Sequence, residues 1–316
     1  IEICGDTPTH QQAEVLRNFA TDRFVAIRSG HGIGKSRLEA WLIDWYLKTR
    51  KLAGQACKVP ITASSADQIR NILSAELKSV ADKQPKYFRD KFELTSDLYY
   101  CMESPKDGFA AFRTARKEKP DAMQGFHNCF FVIEEASGIP DEVFEVARGA
   151  MGDPGAMSLM VGNPINLSGY FYDTFHKKTF WKKYHFSSTE SLASEKYSYP
   201  FINSRGELKT ITVNGLQTQA WVDGSIEDYG KESNAYKTRV LGEFASAGKD
   251  LVLDKDTVRA AFHREKHDES DRRVVMGADI SRSESGDGTG VVVRQGRNIL
   301  FVTRWPGCST VETRCR

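Results

Sequence analysis

One stretch of the chain, Arg28-Ser29-Gly30-His31-Gly32-Ile33-Gly34-Lys35-Ser36, combines residue types that can hold a chain of phosphates. Glycines let the backbone curl until several N–H groups point inward at phosphate oxygens, and the start of a following helix adds its positive dipole end. Lys35 is spaced to reach the β and γ phosphates of ATP as a point charge, and the Ser36 hydroxyl to ligate Mg²⁺. One position departs from the usual pattern: Ser29 stands where a glycine is standard. The competing reading is an ordinary glycine-rich turn. Gly34-Lys35-Ser36, intact between an apolar strand and a helix, favours the phosphate loop.

Two further segments carry polar groups at the ends of apolar runs. Phe130-Phe131-Val132-Ile133 leads into Glu134-Glu135. A buried strand delivers such carboxylates to the edge of a sheet, where Glu134 would position Mg²⁺ through water and Glu135 would orient and polarise an attacking water. The alternative is a pair of acids opening an exposed loop. Leu159-Met160-Val161-Gly162-Asn163-Pro164 ends in a small amide that suits a sensor of the γ-phosphate; otherwise it is a plain Asn-Pro turn.

These groups need a scaffold that brings several strand ends to one place. Short apolar runs alternate with amphipathic stretches through the first two-thirds of the chain, the pattern of an α/β fold with a mainly parallel sheet. Strands are predicted at 24–27, 59–62, 101–102, 109–112, 130–133 and 159–161, and helices at 35–48, 66–80 and 141–148. Residues 187–229 turn polar with weak periodicity and read as loops and a small subdomain. Helical character returns at 234–241, and 242–250, rich in Gly, Ala and Ser, reads as a link between domains. A short helix at 254–262 and strands at 274–278, 290–294 and 299–304 follow.

Composition sets bounds on partners. The chain has 316 residues and a net charge of +2, so any nucleic-acid contact must come from local patches. Lys177, Lys178, Lys182 and Lys183, interleaved with Phe175, Phe180 and Trp181, form one such patch, although a charge run of this kind is commonly a solvated face. No apolar run approaches the roughly 20 residues a membrane helix needs, and Ile1–Gly5 is too short for a targeting core. Cys4, Cys57, Cys101, Cys129, Cys308 and Cys315 form no CxxC pair, so reduced thiols are expected rather than a disulfide framework or zinc site.

The phosphate loop, acidic strand and Asn163 segment, in this order, resemble the ATPase domain of phage terminase large subunits. Thr9-His10-Gln11-Gln12-Ala13-Glu14-Val15-Leu16 is similar to the family's adenine-recognition segment, which implies that Gln12 reads the base. Arg113 to His127 resembles the segment before the acidic strand, Glu135 to Asp141 the one after it, and Gly242-Glu243-Phe244 the end of the ATPase half. Terminase loops often lack the first glycine and carry a nearby arginine, which Ser29 and Arg28 match. Met276-Gly277-Ala278-Asp279-Ile280 and Gly286-Asp287-Gly288-Thr289 look like the opening of an RNase H-like nuclease. The resemblance implies a P-loop NTPase fold over 1–246, a linker over 247–270 and a partial nuclease over 271–316. Asp279, with Asp287 as a second candidate, would bind Mg²⁺ or Mn²⁺ there. The other acids of such a nuclease are expected beyond Arg316, so this chain alone is not expected to cut DNA.

The implied activity is ATP-driven movement of double-stranded viral DNA into a procapsid. The implied partners are DNA, the portal, a small terminase subunit and further copies in a ring, in the host cytoplasm with no membrane. Charge on the γ-phosphoryl needs a cation beyond Lys35 and Mg²⁺; Arg113 or Arg116 in trans and Arg28 in cis are the candidates. Rival readings are a helicase-like ATPase, which would need a second ATPase lobe, and a nucleotide-binding scaffold, which would not need Glu134-Glu135.

Overall fold

The computed structural model describes residues 2–65, 68–114, 126–245, 268–279 and 289–305. The chain divides into two compact units, Ile1–Val252 and Leu253–Arg316. Arg116 and Asp287, the helix expected at 254–262 and most of the expected linker lie outside the described residues.

The first unit opens with helix α1 (His10–Asn18), started by a capping box in which Thr9 and Gln12 exchange side-chain and backbone hydrogen bonds. Strand β1 (Phe24–Ser29) leads through the glycine-rich loop into α2 (Lys35–Leu52), and β2 (Cys57–Thr62) follows. The helix expected at 66–80 is two pieces, a wide-turned stretch at Gln68–Leu73 and α3 (Ser74–Asp82). Then come a single turn α4 (Lys86–Arg89), β3 (Phe92–Leu94), β4 (Leu98–Cys101), β5 (Gly108–Phe112) and β6 (Phe130–Ile133). Helix α5 (Asp141–Ala150), β7 (Met157–Gly162), α6 (Tyr170–His176) and β8 (Lys182–Phe186) complete the sheet and its cover.

The eight strands lie in the order β3-β4-β5-β2-β6-β7-β1-β8. From β5 to β8 every neighbouring pair is parallel; β3 and β4 are antiparallel additions at one edge. Both faces of the sheet are covered, which explains why β6 is apolar throughout. Phe130 and Val132 pack with Leu38, Leu42, Ile43 and Tyr46 of α2, while Phe131 and Ile133 pack with Val143, Phe144 and Ala147 of α5.

Two expectations are corrected here. Residues 187–229 are not mainly loops: β9 (Lys196–Ile202) and β10 (Leu208–Asn214) form an antiparallel hairpin, followed by α7 (Gln219–Tyr229). Within the two strands only Tyr199 is buried, so they lack the apolar alternation that marks a half-buried sheet. The lysine-aromatic run is not one exposed patch. Trp181 is buried in the core, Lys178 lies over the Tyr170 ring, Lys177 pairs with Asp173, and Lys182 and Lys183 sit on edge strand β8. Beyond α7 comes α8 (Asn234–Tyr236), which continues as a wide-turned stretch, Lys237–Leu241, and ends at Gly242.

The second unit contributes β11 (Val274–Asp279), β12 (Thr289–Gln295) and β13 (Asn298–Trp305), an antiparallel sheet in that order, close to the three strands predicted. Asp279 ends β11. Among the described residues no helix is long and apolar enough to cross a membrane.

Candidate functional site

Parallel pairing sets the C-terminal ends of β1, β7 and β6 side by side, the edge of an open α/β sheet where ligands bind. The glycine-rich loop leaves β1, Asn163 follows β7, and Glu134-Glu135 follow β6. The loop turns into α2 through Gly34, whose φ of +75° is left-handed and open to glycine at no steric cost.

Lys35 folds back over this loop. Its Nζ donates to Gly30 O at 3.1 Å and to Asn163 Oδ1 at 3.3 Å, while Asn163 Nδ2 donates to Ser29 O at 2.6 Å. Asn163 therefore touches the lysine and the loop at once. The Ser36 hydroxyl donates to Glu134 Oε1 at 3.0 Å. Glu134 Oε2 is buried without a hydrogen-bond partner. A serine oxygen beside an unspent carboxylate oxygen fits a hard divalent cation. Glu135 takes a left-handed backbone (φ 50°, ψ 43°), rare for a side-chain-bearing residue and typical of functional sites, and its Oε2 accepts from Ser64 Oγ at 3.0 Å.

The electrostatics follow from burial. Burial lowers the pKa of Lys35, opposed by Glu39, Glu134 and Glu135. Burial pushes Glu134 up to about 7, helped by the charge on Glu135 and opposed by Ser36 and Lys35. Glu39, one helical turn after Lys35, is fully buried with both oxygens unpartnered, and burial followed by the charge on Glu134 holds it well above the usual carboxylate range. Both effects favour its protonated form, next to the site. The sequence carried a signal for it: a glutamate on the apolar face of α2, between Leu38 and Leu42.

Other contacts come from segments the sequence could not connect. Ser188 Oγ and Gln217 Nε2 both donate to His31 O, at 2.9 and 2.8 Å, and Gly30 N donates to Phe186 O. Both ends of the Gln12 amide are engaged: Oε1 accepts from Thr9 N at 2.9 Å, and Nε2 donates to Gly34 O at 2.8 Å. Gln12 thus ties α1 to the loop. Gly30 also meets the end of the unit backbone to backbone. A Cβ on Gly30 would lie 2.4 Å from Val240 O, and one on Gly242 would lie 2.6 Å from Gly30 N.

The arginines sit elsewhere. Arg28 points to the sheet face opposite α2, over the rings of Phe175 and Phe244 at 5.8 and 5.9 Å. Arg113 lies over Phe126. Among the described residues no group of three or more His, Cys, Asp or Glu could hold a metal. A cavity of about 840 Å³ forms an apolar groove between α1, α2 and the β9–β10 hairpin, and Lys35 is not among its lining residues.

The loop, the acidic strand end and the amide strand end, on a mainly parallel sheet in this strand order, define a P-loop NTPase fold. The chain resembles the large terminase subunits of phages in sequence and in fold. It is 24% identical over 273 residues to the "Probable terminase, large subunit" of Enterobacteria phage P7, covering 83% of this chain and 51% of that protein. The chain therefore spans about half the length of the curated relative it matches. No family model matches it. Among solved structures, the Thermus phage P74-26 large terminase ATPase domain matches at TM-score 0.53 with 17% identity, over 77% of this chain and 96% of that one. The HK97 bacteriophage large terminase matches at 0.55 with 13% identity, over 98% and 65%. The large terminase of the thermophilic bacteriophage D6E in complex with ADP matches at 0.54 with 12% identity, over 98% and 72%.

Proposed function

We propose that this chain hydrolyses ATP to drive double-stranded viral DNA into a procapsid. The observation that carries the reading is the convergence of Lys35, Ser36, Glu134, Glu135 and Asn163 at one edge of the sheet, held by the hydrogen bonds described above. Loop amides and Lys35 bind the triphosphate. Glu135 orients water for in-line attack and accepts its proton; the new bond forms at Pγ as the bond to the β–γ bridging oxygen breaks, and ADP leaves with the electron pair. Mg²⁺, held by Ser36 Oγ and by Glu134 through water, would neutralise charge on the β and γ phosphates. Asn163, already bonded to Lys35 and Ser29, reports loss of the γ-phosphate. Gln12 lies beside the loop where a base reader is expected.

Within this reading the subunits form a ring on the portal, supplied with DNA by a small terminase subunit in the host cytoplasm, and Arg113 or Arg116 reaches a neighbour's nucleotide. The first unit, up to about residue 246, is the motor. The second is the start of a metal-dependent nuclease; its antiparallel three-stranded sheet, ending its first strand on Asp279, supports that assignment, and Asp279 and Asp287 would bind Mg²⁺ or Mn²⁺.

The test is ATP hydrolysis by the wild type and Lys35→Ala, with and without DNA and procapsids. Activity stimulated by procapsids and lost in Lys35→Ala is expected. Hydrolysis indifferent to both additions, or undiminished in Lys35→Ala, would remove the packaging reading or the ATPase reading respectively.

A further inference from the structure

In-line attack leaves charge on the γ-phosphoryl oxygens that Lys35 alone does not offset, and an arginine fork suits it. Neither Arg28 nor Arg113 stands among the groups that converge on Lys35. A different arginine is tied to the loop. Arg239 lies in the wide-turned stretch after α8, and its carbonyl accepts from His31 N of the phosphate loop at 2.7 Å. Gly30, lacking a side chain, lets the same stretch approach to main-chain contact at Val240 O. Arg239 is therefore placed relative to the loop by backbone contacts, even though its side chain is exposed.

Its guanidinium borders a cleft of about 370 Å³ whose lining includes His31, Trp221, Asp228 and Tyr229. Nη1 donates to Tyr229 Oη at 2.9 Å and the guanidinium lies 5.2 Å from the centre of that ring. Among the described residues this is its one side-chain hydrogen bond, which leaves most of its five donors for a ligand. Partial burial lowers the pKa of the His31 imidazole, as do the charges on Lys35 and Arg239, with Glu135 acting the other way. The residue that the phosphate loop and the cleft share is His31: its main chain bonds the Arg239 carbonyl, and it lines the cleft that Arg239 borders.

We propose that Arg239, held against Tyr229, is the cation that contacts the γ-phosphoryl group from within the same subunit. The inference rests on the ATPase reading and adds a catalytic residue to it. During transfer Arg239 gains and loses no atoms; its N–H groups donate to oxygens that become more negative as the bridging bond breaks.

The experiment compares wild type, Arg239→Ala, Arg239→Lys and Lys35→Ala in ATP turnover, ADP affinity, melting temperature and capture of ADP with aluminium fluoride. Arg239→Ala is expected to lower kcat about 100-fold and abolish fluoride capture, with ADP affinity within about threefold of wild type. Melting temperature should not move, and Arg239→Lys should recover part of the rate. Wild-type turnover with full fluoride capture in Arg239→Ala overturns the proposal. A parallel loss of ADP affinity and melting temperature also overturns it, by making Arg239 structural. If Lys35→Ala also hydrolyses ATP normally, the ATPase reading itself has failed, and this inference with it.

Discussion

Exchanging Glu134 for glutamine should stabilise the nucleotide-free protein while stopping hydrolysis, and the size of the gain can be worked out. Burial raises the carboxyl from 4.5 to about 7. The folded state therefore holds its proton more tightly than the unfolded chain, so unfolding free energy falls as pH rises through this window and levels off above about 7. At about 1.36 kcal/mol per pH unit, the interval amounts to roughly 3 kcal/mol. Glutamine keeps an acceptor for the Ser36 hydroxyl and has no proton to lose. Glu39 tilts the wild-type profile in the same direction, and part of its elevation comes from the Glu134 charge, so the substitution flattens that contribution too. Stability profiles of the two proteins, measured by thermal denaturation from pH 4.5 to 8 without nucleotide or divalent cation, should meet at the acid end. They should separate to roughly 6–12 °C at pH 8, taking about 2–4 °C per kcal/mol for a unit of this size. Adding Mg²⁺ and ADP should shrink the wild-type slope, because a bound cation favours the carboxylate. Superimposable profiles for the two proteins would refute the reasoning.

Three more substitutions test packing in the first unit. Asp44 accepts from Lys48 Nζ at 2.5 Å, Gln84 Nε2 at 2.6 Å and Tyr99 Oη at 2.7 Å, all buried, so Asp44→Ala strands a lysine in the core and should cost about 3–5 kcal/mol in urea unfolding; a loss below about 1 kcal/mol contradicts the network. Gly30→Ala puts a methyl 2.4 Å from Val240 O and 2.3 Å from Ser188 Oγ, and should cost about 1–3 kcal/mol and weaken ADP binding. Gly224→Ala in α7 meets nothing within 4 Å and should gain about 0.5–1 kcal/mol by the same assay.

Much of the site was legible before any coordinates because its parts are local. Strands β1, β6 and β7 are buried on both faces, so each appears as an unbroken apolar run that stops where a polar group must emerge. Glu134 meeting Ser36, and Asn163 meeting Lys35, follow once those strands lie side by side. What was illegible is what depends on distant or exposed partners. Strands β9 and β10 face solvent on nearly every residue, and β8 hides two inward aromatics among lysines, so neither shows a clean period. Gln217 and Ser188 reach the His31 carbonyl from far along the chain, and nothing in their own neighbourhoods marks them. Glu39 is different: its position on an apolar helical face was visible, but its meaning depends on the carboxylate of β6 arriving opposite.

Gly242 also has a mechanical consequence. A methyl there would collide with Gly30 N, Ser29 C and Phe186 O, so the stretch that leaves the first unit is seated directly on the root of the loop that would cradle phosphate. Dense packing does not absorb such a push locally. Ligand entry that drew the Gly30 amide inward would therefore press first on the main chain at Val240 and Gly242.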